Sequence, residues 1–487
     1  MTTTVKTVGS GYPQKHRKTW VYLLTNIYFK ISIFLIFIYT VVPMNKPELL
    51  SPAGLIKNMR FAFAYGADAV YAGLPRYSLR VRNNDFRLPN LEAGINEAHE
   101  LGKKFFVATN ILPHTAKIKT FMDDMEPIIA LNPDALIMAD PGLIMMIKEK
   151  WPDMPIHLSV QANTLNSPAV KFWQSAGVER IILSRELSLD EIAEIRDDCP
   201  DVELEVFIHG SLCIAYSGRC LLSGYFNHRD PNQGTCTNSC RWNYKVKNND
   251  SDQGIENTGV WKPDTGSITS QQFLLEEEGR QGEYMPIEED EHGTYIMNSR
   301  DLRAVEHVHR LVDIGVDCLK IEGRTKSYYY TARATQIYRR AIDDAVAGKK
   351  FDPHLMTELE NLAHRGYTDG FFERHAPQET QRYRDSSSRS QRQMFSGEVI
   401  EFDKQNKRIL VDIKNKITVG DEMELLTANG NHQFTLQDMT DQRGNIIACA
   451  PGSGHQAWVK VSDDVDQVNL GLLCRTLDEE SARIDID

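Results

Sequence analysis

The chain is 487 residues long, 41% hydrophobic and 25% charged, and carries a formal net charge of −12. That is the balance of a soluble globular protein larger than one small domain, and the negative charge argues against indiscriminate nucleic-acid binding while leaving room for a local basic groove. Eight cysteines in such a length exclude a disulfide scaffold.

The first element in chain order is an oddity. Residues 1–19 hold Lys6, Lys15, Arg17 and Lys18 and no acids, and Trp20–Val42 is an apolar run long enough to span a bilayer. Asn26 and Lys30 interrupt it, at a cost of a few kcal/mol near a membrane centre. Met44 then opens "MNKPELLSPAG", which reads as the start of a soluble domain. Residues 1–43 are read as an extension outside the functional unit of a cytoplasmic protein. The alternative is a membrane anchor through Trp20–Val42.

From Pro47 short apolar runs alternate with amphipathic helical patterns such as "NLEAGINEAHELG" and "SLDEIAEIRDD". The runs are "ELLSP" (48–52), "AVYAG" (69–73), "KFFVATN" (104–110), "ALIMAD" (135–140), "IHLSVQA" (156–162), "RIILSRE" (180–186), "LEVFIHG" (204–210) and "CLKIEGR" (318–324). Strand–helix alternation with uniformly apolar strands predicts a parallel sheet covered on both faces. Eight units predict a TIM-like (β/α)8 barrel over residues 44–377. A doubly wound open sheet is the alternative, but "SPAGLIKN" lacks its glycine-rich phosphate turn. A ninth strand candidate, "YIMNS" (295–299), is assigned to a long insertion over 211–317, whose polar part, 247–292, reads as a surface loop. Residues 378–393 read as a linker, 394–476 as a small all-β barrel, and 477–487 as a tail.

In a barrel of this kind the active site lies at the C-terminal ends of the strands. The polar residues there are Asn110, Asp140, Gln161, Asn163, Arg185, Glu186, His209, Glu322 and Arg324. Any one of them could merely cap a helix or tie a loop, Asp140 above all because Pro141 and Gly142 follow it. Arg80, Arg82 and Arg87 among Tyr77 and Phe86, and Arg324, Lys326 and Arg333 among three tyrosines, form two basic, aromatic stretches suited to phosphate, carboxylate or base stacking. A solvated face with core tyrosines is the plain alternative.

Four of the cysteines, Cys213, Cys220, Cys236 and Cys240, crowd into the start of the insertion, beside the same mouth. Their spacing lacks the Cys-x2-Cys knuckle of structural zinc sites and suits an iron–sulfur cluster, with zinc or unligated thiols as alternatives. Cys199, Cys318, Cys449 and Cys474 are isolated. No His-Glu-x-x-His helix, Gly-x-Ser-x-Gly elbow or Walker loop occurs.

The stretch "EVFIHGSLCIAYSGRCLLSGY" resembles the signature of the bacterial collagenase-like peptidase family. With "KPELLSPAG", "YSLRVRNNDF", "RDPNQGTCTNSCRW", "EDEHGTYIMNSRDLRA" and "LKIEGRTKSYYY", the likeness extends from about Lys46 to Leu473 and points to the branch of tRNA 5-hydroxyuridine modification proteins. The resemblance implies prephenate-dependent hydroxylation of the wobble uridine, a tRNA anticodon region as partner, and dependence on the iron–sulfur assembly machinery. Relatives in the wider family hold a 4Fe-4S cluster on four cysteines, so Cys213 and Cys220 match the signature pair, Cys236 the third ligand and Cys240 the fourth. On this basis Arg80, Arg82, Arg185 and Arg324, with Gln161 and Asn163, are expected to bind substrate. Glu186, His209 and Glu322 are the candidate acid–base groups, and Tyr77 or Tyr328 is expected to stack on the base. Two rival readings are a peptidase with Cys213 or Cys220 as nucleophile and a non-catalytic tRNA-binding partner.

Overall fold

The computed structural model describes residues 46–79, 84–212, 215–217, 219–220, 273–276, 284–290, 293–295, 300–364, 366–373 and 392–477. The extension 1–43 lies outside them, and among the described residues no helix is long and apolar enough to cross a membrane.

All eight apolar runs become strands: β1 (Glu48–Pro52), β2 (Ala69–Gly73), β3 (Lys104–Ala108), β4 (Ala135–Met138), β5 (Ile156–Leu158), β6 (Arg180–Ile182), β7 (Glu203–Ser211) and, after the insertion, β12 (Cys318–Ile321). Each pairs in parallel with the next, and β7 pairs with β12, so the ring closes as expected. Strands β2, β4, β5, β6 and β12 are buried along their whole length. Helices on the outer side and side chains within the ring leave them no wet face, which is why they read as continuous apolar runs.

The helices are α1 (Ile56–Ala64), α2 (Leu88–Glu100), α3 (Thr115–Ile129), α4 (Pro141–Lys150), α5 (Ser167–Ser175), α6 (Leu189–Asp198), α7 (Val308–Ile314), α8 (Tyr328–Val346) and α9 (His354–Leu359). Several begin on side-chain caps. Asp140 accepts from Leu143 N at the start of α4, Ser188 and Glu191 form a capping box on α6, and Ser327 caps α8. Asp140 is therefore turn chemistry.

The insertion departs from the sequence reading. Within the stretch read as loop, β8 (Phe273–Glu276) and β9 (Tyr284–Asp290) pair, and with β10 (Gly293–Tyr295), just beyond it, they form a three-stranded antiparallel sheet, held by backbone pairing that its polar composition conceals. Tyr295 ends β10, and the rest of "YIMNS" lies outside the described residues. A further strand, β11 (Asp301–Arg303), pairs antiparallel to the end of β7, and β13 (Tyr367–Thr368) pairs with β11.

Beyond the linker, β14 (Gln393–Asp403), β15 (Arg408–Thr418), β16 (Glu422–Thr427), β17 (Gly430–Thr435), β18 (Met439–Thr440), β19 (Ile446–Ile447), β20 (Cys449–Lys460) and β21 (Leu472–Thr476) form one antiparallel sheet in the order 17-16-21-14-15-20-18-19. It has its own core of Ile409, Val411, Ile413, Met423 and Leu425, yet Leu426, Leu472 and Cys474 belong to the barrel's core. Tyr65 donates to the Leu426 and Leu470 carbonyls at 3.1 and 3.0 Å, and the buried Arg333 of α8 pairs with Glu424 at 3.1 Å. Gln393, assigned to the linker from composition, opens β14 and is buried against Glu424.

Candidate active site at the barrel mouth

The barrel interior is charged at one level and aromatic at the next. Glu205, fully buried, accepts from Lys320 at 2.7 Å and from Arg180 at 3.5 Å, and Arg180 also reaches Glu48 at 2.7 Å. Two cations and two anions share this space, the arrangement that makes buried charge tolerable. The Lys320 ammonium lies 4.3 Å from the Tyr71 ring centre and 5.3 Å from that of Phe207, so the aromatic rings form a floor above the ion network.

Above that floor lie the strand ends. Arg185, just past β6, donates to the Ser211 carbonyl at 2.7 Å and to the Glu322 carboxylate at 2.6 Å, with its guanidinium 3.9 Å over the Phe207 ring. Arg324, past β12, reaches across to the Leu79 carbonyl beyond β2 and sits 5.7 Å from Tyr71. Gly73 makes room for it: a Cβ there would stand 2.0 Å from Arg324 Nη1 and 2.2 Å from Ser78 Oγ. Gly210 plays a similar part with φ +111°, its backbone so close to Glu322 that a Cβ would meet the Glu322 carbonyl oxygen at 2.5 Å.

The opposite side, past β3 and β5, is built of amides. Asn110 donates to Ser159 Oγ at 3.2 Å and accepts from Leu79 N. Asn163 adopts the left-handed conformation, φ 52°, and spends its amide donors on the Gln161 carbonyl at 2.8 Å and the Ser217 carbonyl at 3.0 Å. That fixes which way its amide faces and leaves Oδ1 buried with no partner. Gln161, 4% exposed, accepts from Ser159 Oγ at 3.4 Å, and its Nε2 is buried with no partner. The hydroxyls of Ser78, Thr109 and Thr164 are buried in the same condition. Buried polar groups are nearly always satisfied, so a cluster left open at strand ends is a place prepared for a ligand or ordered water.

Of the residues expected to act, Gln161, Asn163, Arg185, Glu322 and Arg324 meet at this mouth. Glu186 stands one residue beyond Arg185, accepting from Ser184 Oγ. His209 does not face the mouth. A register shift between Lys320 and Ile321 in the β7–β12 pairing interrupts the alternation that would point it inward. Its ring is 1% exposed, boxed by Tyr330, Tyr338 and Tyr367, with Tyr338 Oη 3.3 Å from Nδ1. Burial, with Lys326, Arg303 and His364 adding to it, lowers its pKa to about 3. It is a neutral packing residue and supplies no acid–base function at neutral pH.

Neither stacking tyrosine is placed to stack on a base. Tyr77 is 2% exposed, edge-on to Phe121 and bonded to Asp124. Tyr328 is wedged between Phe61 and Phe395 at the seam with the C-terminal sheet. Arg80, Arg82, Cys213, Cys236 and Cys240 lie outside the described residues. Cys220 is half-buried and not in a disulfide, three residues from Ser217, which Asn163 ties to the mouth. Sequence reasoning missed Tyr71 and Phe207 because an aromatic inside an apolar strand reads as core. It missed Ser78, Thr109 and Thr164 too, although Thr109, a hydroxyl immediately past the end of β3, was a readable signal.

The family model described as peptidase family U32 matches residues 54–382, and its C-terminal domain matches 391–472. A curated relative from Escherichia coli, tRNA hydroxylation protein P, is 57% identical over 90% of this chain and 99% of its own. The protein of the same name from Haemophilus influenzae is 54% identical over 90% and 98%. More distantly, the 23S rRNA 5-hydroxycytidine C2501 synthase of E. coli is 29% identical over 68% of this chain and 46% of its own.

Proposed function

Because the chain belongs to the peptidase U32 family, in the branch of the tRNA hydroxylation P proteins, we propose that it hydroxylates C5 of the wobble uridine of tRNA, with the base lodged in the barrel mouth. The observation that carries the reading is the pair of fixed amides, a buried acceptor on Asn163 and a buried donor on Gln161. An enzyme acting on a base takes it out of the stack and reads its Watson–Crick edge, and a pyrimidine presents donors and acceptors side by side there. Tyr71 and Phe207 give the base an apolar floor.

Arg185 and Arg324, with Arg80 and Arg82 on the neighbouring stretch, supply cations for the nucleotide phosphate and for the carboxylates of prephenate as co-substrate. Glu322, held by Arg185, and Glu186 are the carboxylates positioned to hold or move a proton. A tRNA substrate supports the reading of a cytoplasmic protein.

The chemistry of a four-thiol donor set fits a cluster. Cys220 offers an uncommitted thiol three residues from a backbone anchor on Asn163. Cys213, Cys220, Cys236 and Cys240 would hold a 4Fe-4S cluster, loaded by the iron–sulfur assembly machinery, and the bound cluster supplies a redox or Lewis-acid centre. A peptidase reading would need a base beside a cysteine nucleophile, and the histidine nearest Cys213 in sequence, His209, is buried away from the mouth with its pKa near 3.

The test is nucleoside mass spectrometry of tRNA from a strain lacking the gene, complemented with wild type or with Cys220→Ala, alongside iron and sulfide analysis of protein purified without oxygen. Wild type restores 5-hydroxyuridine and Cys220→Ala does not. A colourless, iron-free wild-type protein that cleaves peptides and leaves the wobble uridine unmodified would sink the reading.

A further inference from the structure

A polar cleft of about 810 Å³ lies between α8 and α9 of the barrel and β16, β17 and β21 of the C-terminal sheet, and none of its lining residues belongs to the mouth. Its lining is almost without apolar side chains, unlike the pockets that take drug-like ligands and most cofactors. Most of it is arginine, asparagine, glutamine and threonine, side chains that contact the sugar–phosphate backbone of nucleic acids. Three arginines, Arg333, Arg340 and Arg392, line it against two carboxylates, Glu358 and Glu424.

Two buried groups inside the cleft are incomplete. Gln336, 7% exposed, donates both hydrogens of its amide, to the Thr427 carbonyl at 2.9 Å and to Asn431 Oδ1 at 3.0 Å. The amide is thereby oriented, and its Oε1 is buried without a partner. Arg333, 1% exposed, gives Nη1 to Glu424, and its Nε is buried without a partner. Residues three apart on a helix share a face, so α8 presents one open donor and one open acceptor together. A ribose 2′-hydroxyl is both acceptor and donor in a single atom, which is the feature that distinguishes RNA from DNA.

We propose that this cleft is a second RNA site, holding a ribose–phosphate unit of the tRNA that flanks the modified nucleotide and reading its 2′-hydroxyl through Arg333 and Gln336. The proposal rests on the tRNA reading of the mouth and adds to it a separate place of contact. The geometry suits it. Arg333 to Arg340 lie five to twelve residues along α8 from its first residue, and α8 starts four residues after Arg324 of the mouth, so they stand roughly 8–18 Å along the helix from that end. Both barrel and sheet contribute walls, so the C-terminal domain acquires a function that the mouth alone does not give it.

The experiment measures binding of unmodified tRNA, and of DNA of the same sequence, to the full chain over a range of salt. Gln433 is an exposed residue of β17 on the cleft wall. Gln433→Glu is expected to weaken tRNA binding about fivefold at low salt, and Gln433→Lys to tighten it by a similar factor and steepen the salt dependence by about one phosphate. Opposite signs from one position are not what a merely structural residue produces. Gln336→Met is expected to reduce the preference for RNA over DNA while leaving DNA binding unchanged, with melting curves confirming that each variant is folded.

If wild type binds and hydroxylates tRNA and both Gln433 variants bind like it, the cleft proposal is overturned and the mouth reading stands. If wild type neither binds nor hydroxylates tRNA, both fall. Displacement of free uridine monophosphate by the Gln433 variants, with tRNA affinity unmoved, would make the cleft a mononucleotide site and overturn it as an RNA site.

Discussion

At the scale of single residues, Gln161 holds the clearest trade between stability and function. Its buried Nε2 has no partner in the free protein, a condition that costs about 1–3 kcal/mol of desolvation. Gln161→Met fills the same volume without the amide. It should therefore leave the protein as stable as wild type or raise its stability by about 1 kcal/mol. Hydroxylation should fall at least tenfold, because the base loses its donor. Urea midpoints and nucleoside analysis read the two effects separately, and a variant that loses both together would make Gln161 a structural residue. This site was legible in part. Gln161, Asn163, Arg185, Glu322 and Arg324 stand just past apolar strands, where a barrel exposes them, and polarity at those positions was sufficient to pick them out. What the sequence could not reveal is the polarity of the Asn163 amide, because that depends on Ser217, 54 residues away in the chain. Tyr77 and Tyr328 failed for the opposite reason: an aromatic beside arginines looks like a stacking platform until tertiary packing buries it, as with Tyr77, or wedges it between other rings, as with Tyr328.

Strands and helices were easier to read than their irregularities. Eight apolar runs separated by amphipathic stretches leave little freedom once the chain must cover both faces of every strand, so the barrel and its order followed from the pattern. The small strands β11 and β13, of 3 and 2 residues, carry no periodic signal and exist because the end of β7 offers an open edge. The shift in the β7–β12 register is likewise invisible, yet it decides the role of His209. Its consequence is measurable. A histidine with a folded pKa near 3 and an unfolded pKa near 6.5 binds fewer protons when folded, so its neutral form stabilises the fold fully above pH 6.5. That contribution is lost as pH falls through the window from 6.5 toward 3, at up to about 1.4 kcal/mol per pH unit. His209→Phe should flatten this part of the stability–pH curve relative to wild type. Buried His157, whose pKa burial also lowers, contributes to the residual slope. Identical slopes in wild type and variant between pH 6 and 4.5 would show that His209 titrates normally.

For the molecule as a whole, the seam between barrel and C-terminal sheet is where composition misleads most. A polar stretch before a change from helical to alternating pattern looks like a tether between independent domains. The seam is instead part of the fold: Leu426, Leu472 and Cys474 lie in the barrel's core, and the Arg333–Glu424 pair is buried, 1% and 4% exposed. Desolvating two charges is costly, and their mutual attraction with the Gln393 hydrogen bond only offsets that cost while both partners are present. Arg333→Met strands the Glu424 carboxylate and should destabilise the protein by about 3–5 kcal/mol. Arg333→Met combined with Glu424→Leu removes both charges and should recover most of that loss, because an apolar pair suits the same space. Denaturation should follow one transition for wild type and the double variant alike, by fluorescence and by circular dichroism, since a shared core couples the two parts. A double variant no more stable than Arg333→Met, or two separate transitions in wild type, would mean that the sheet is an appended domain. Its share of the RNA cleft would then have to form only on binding.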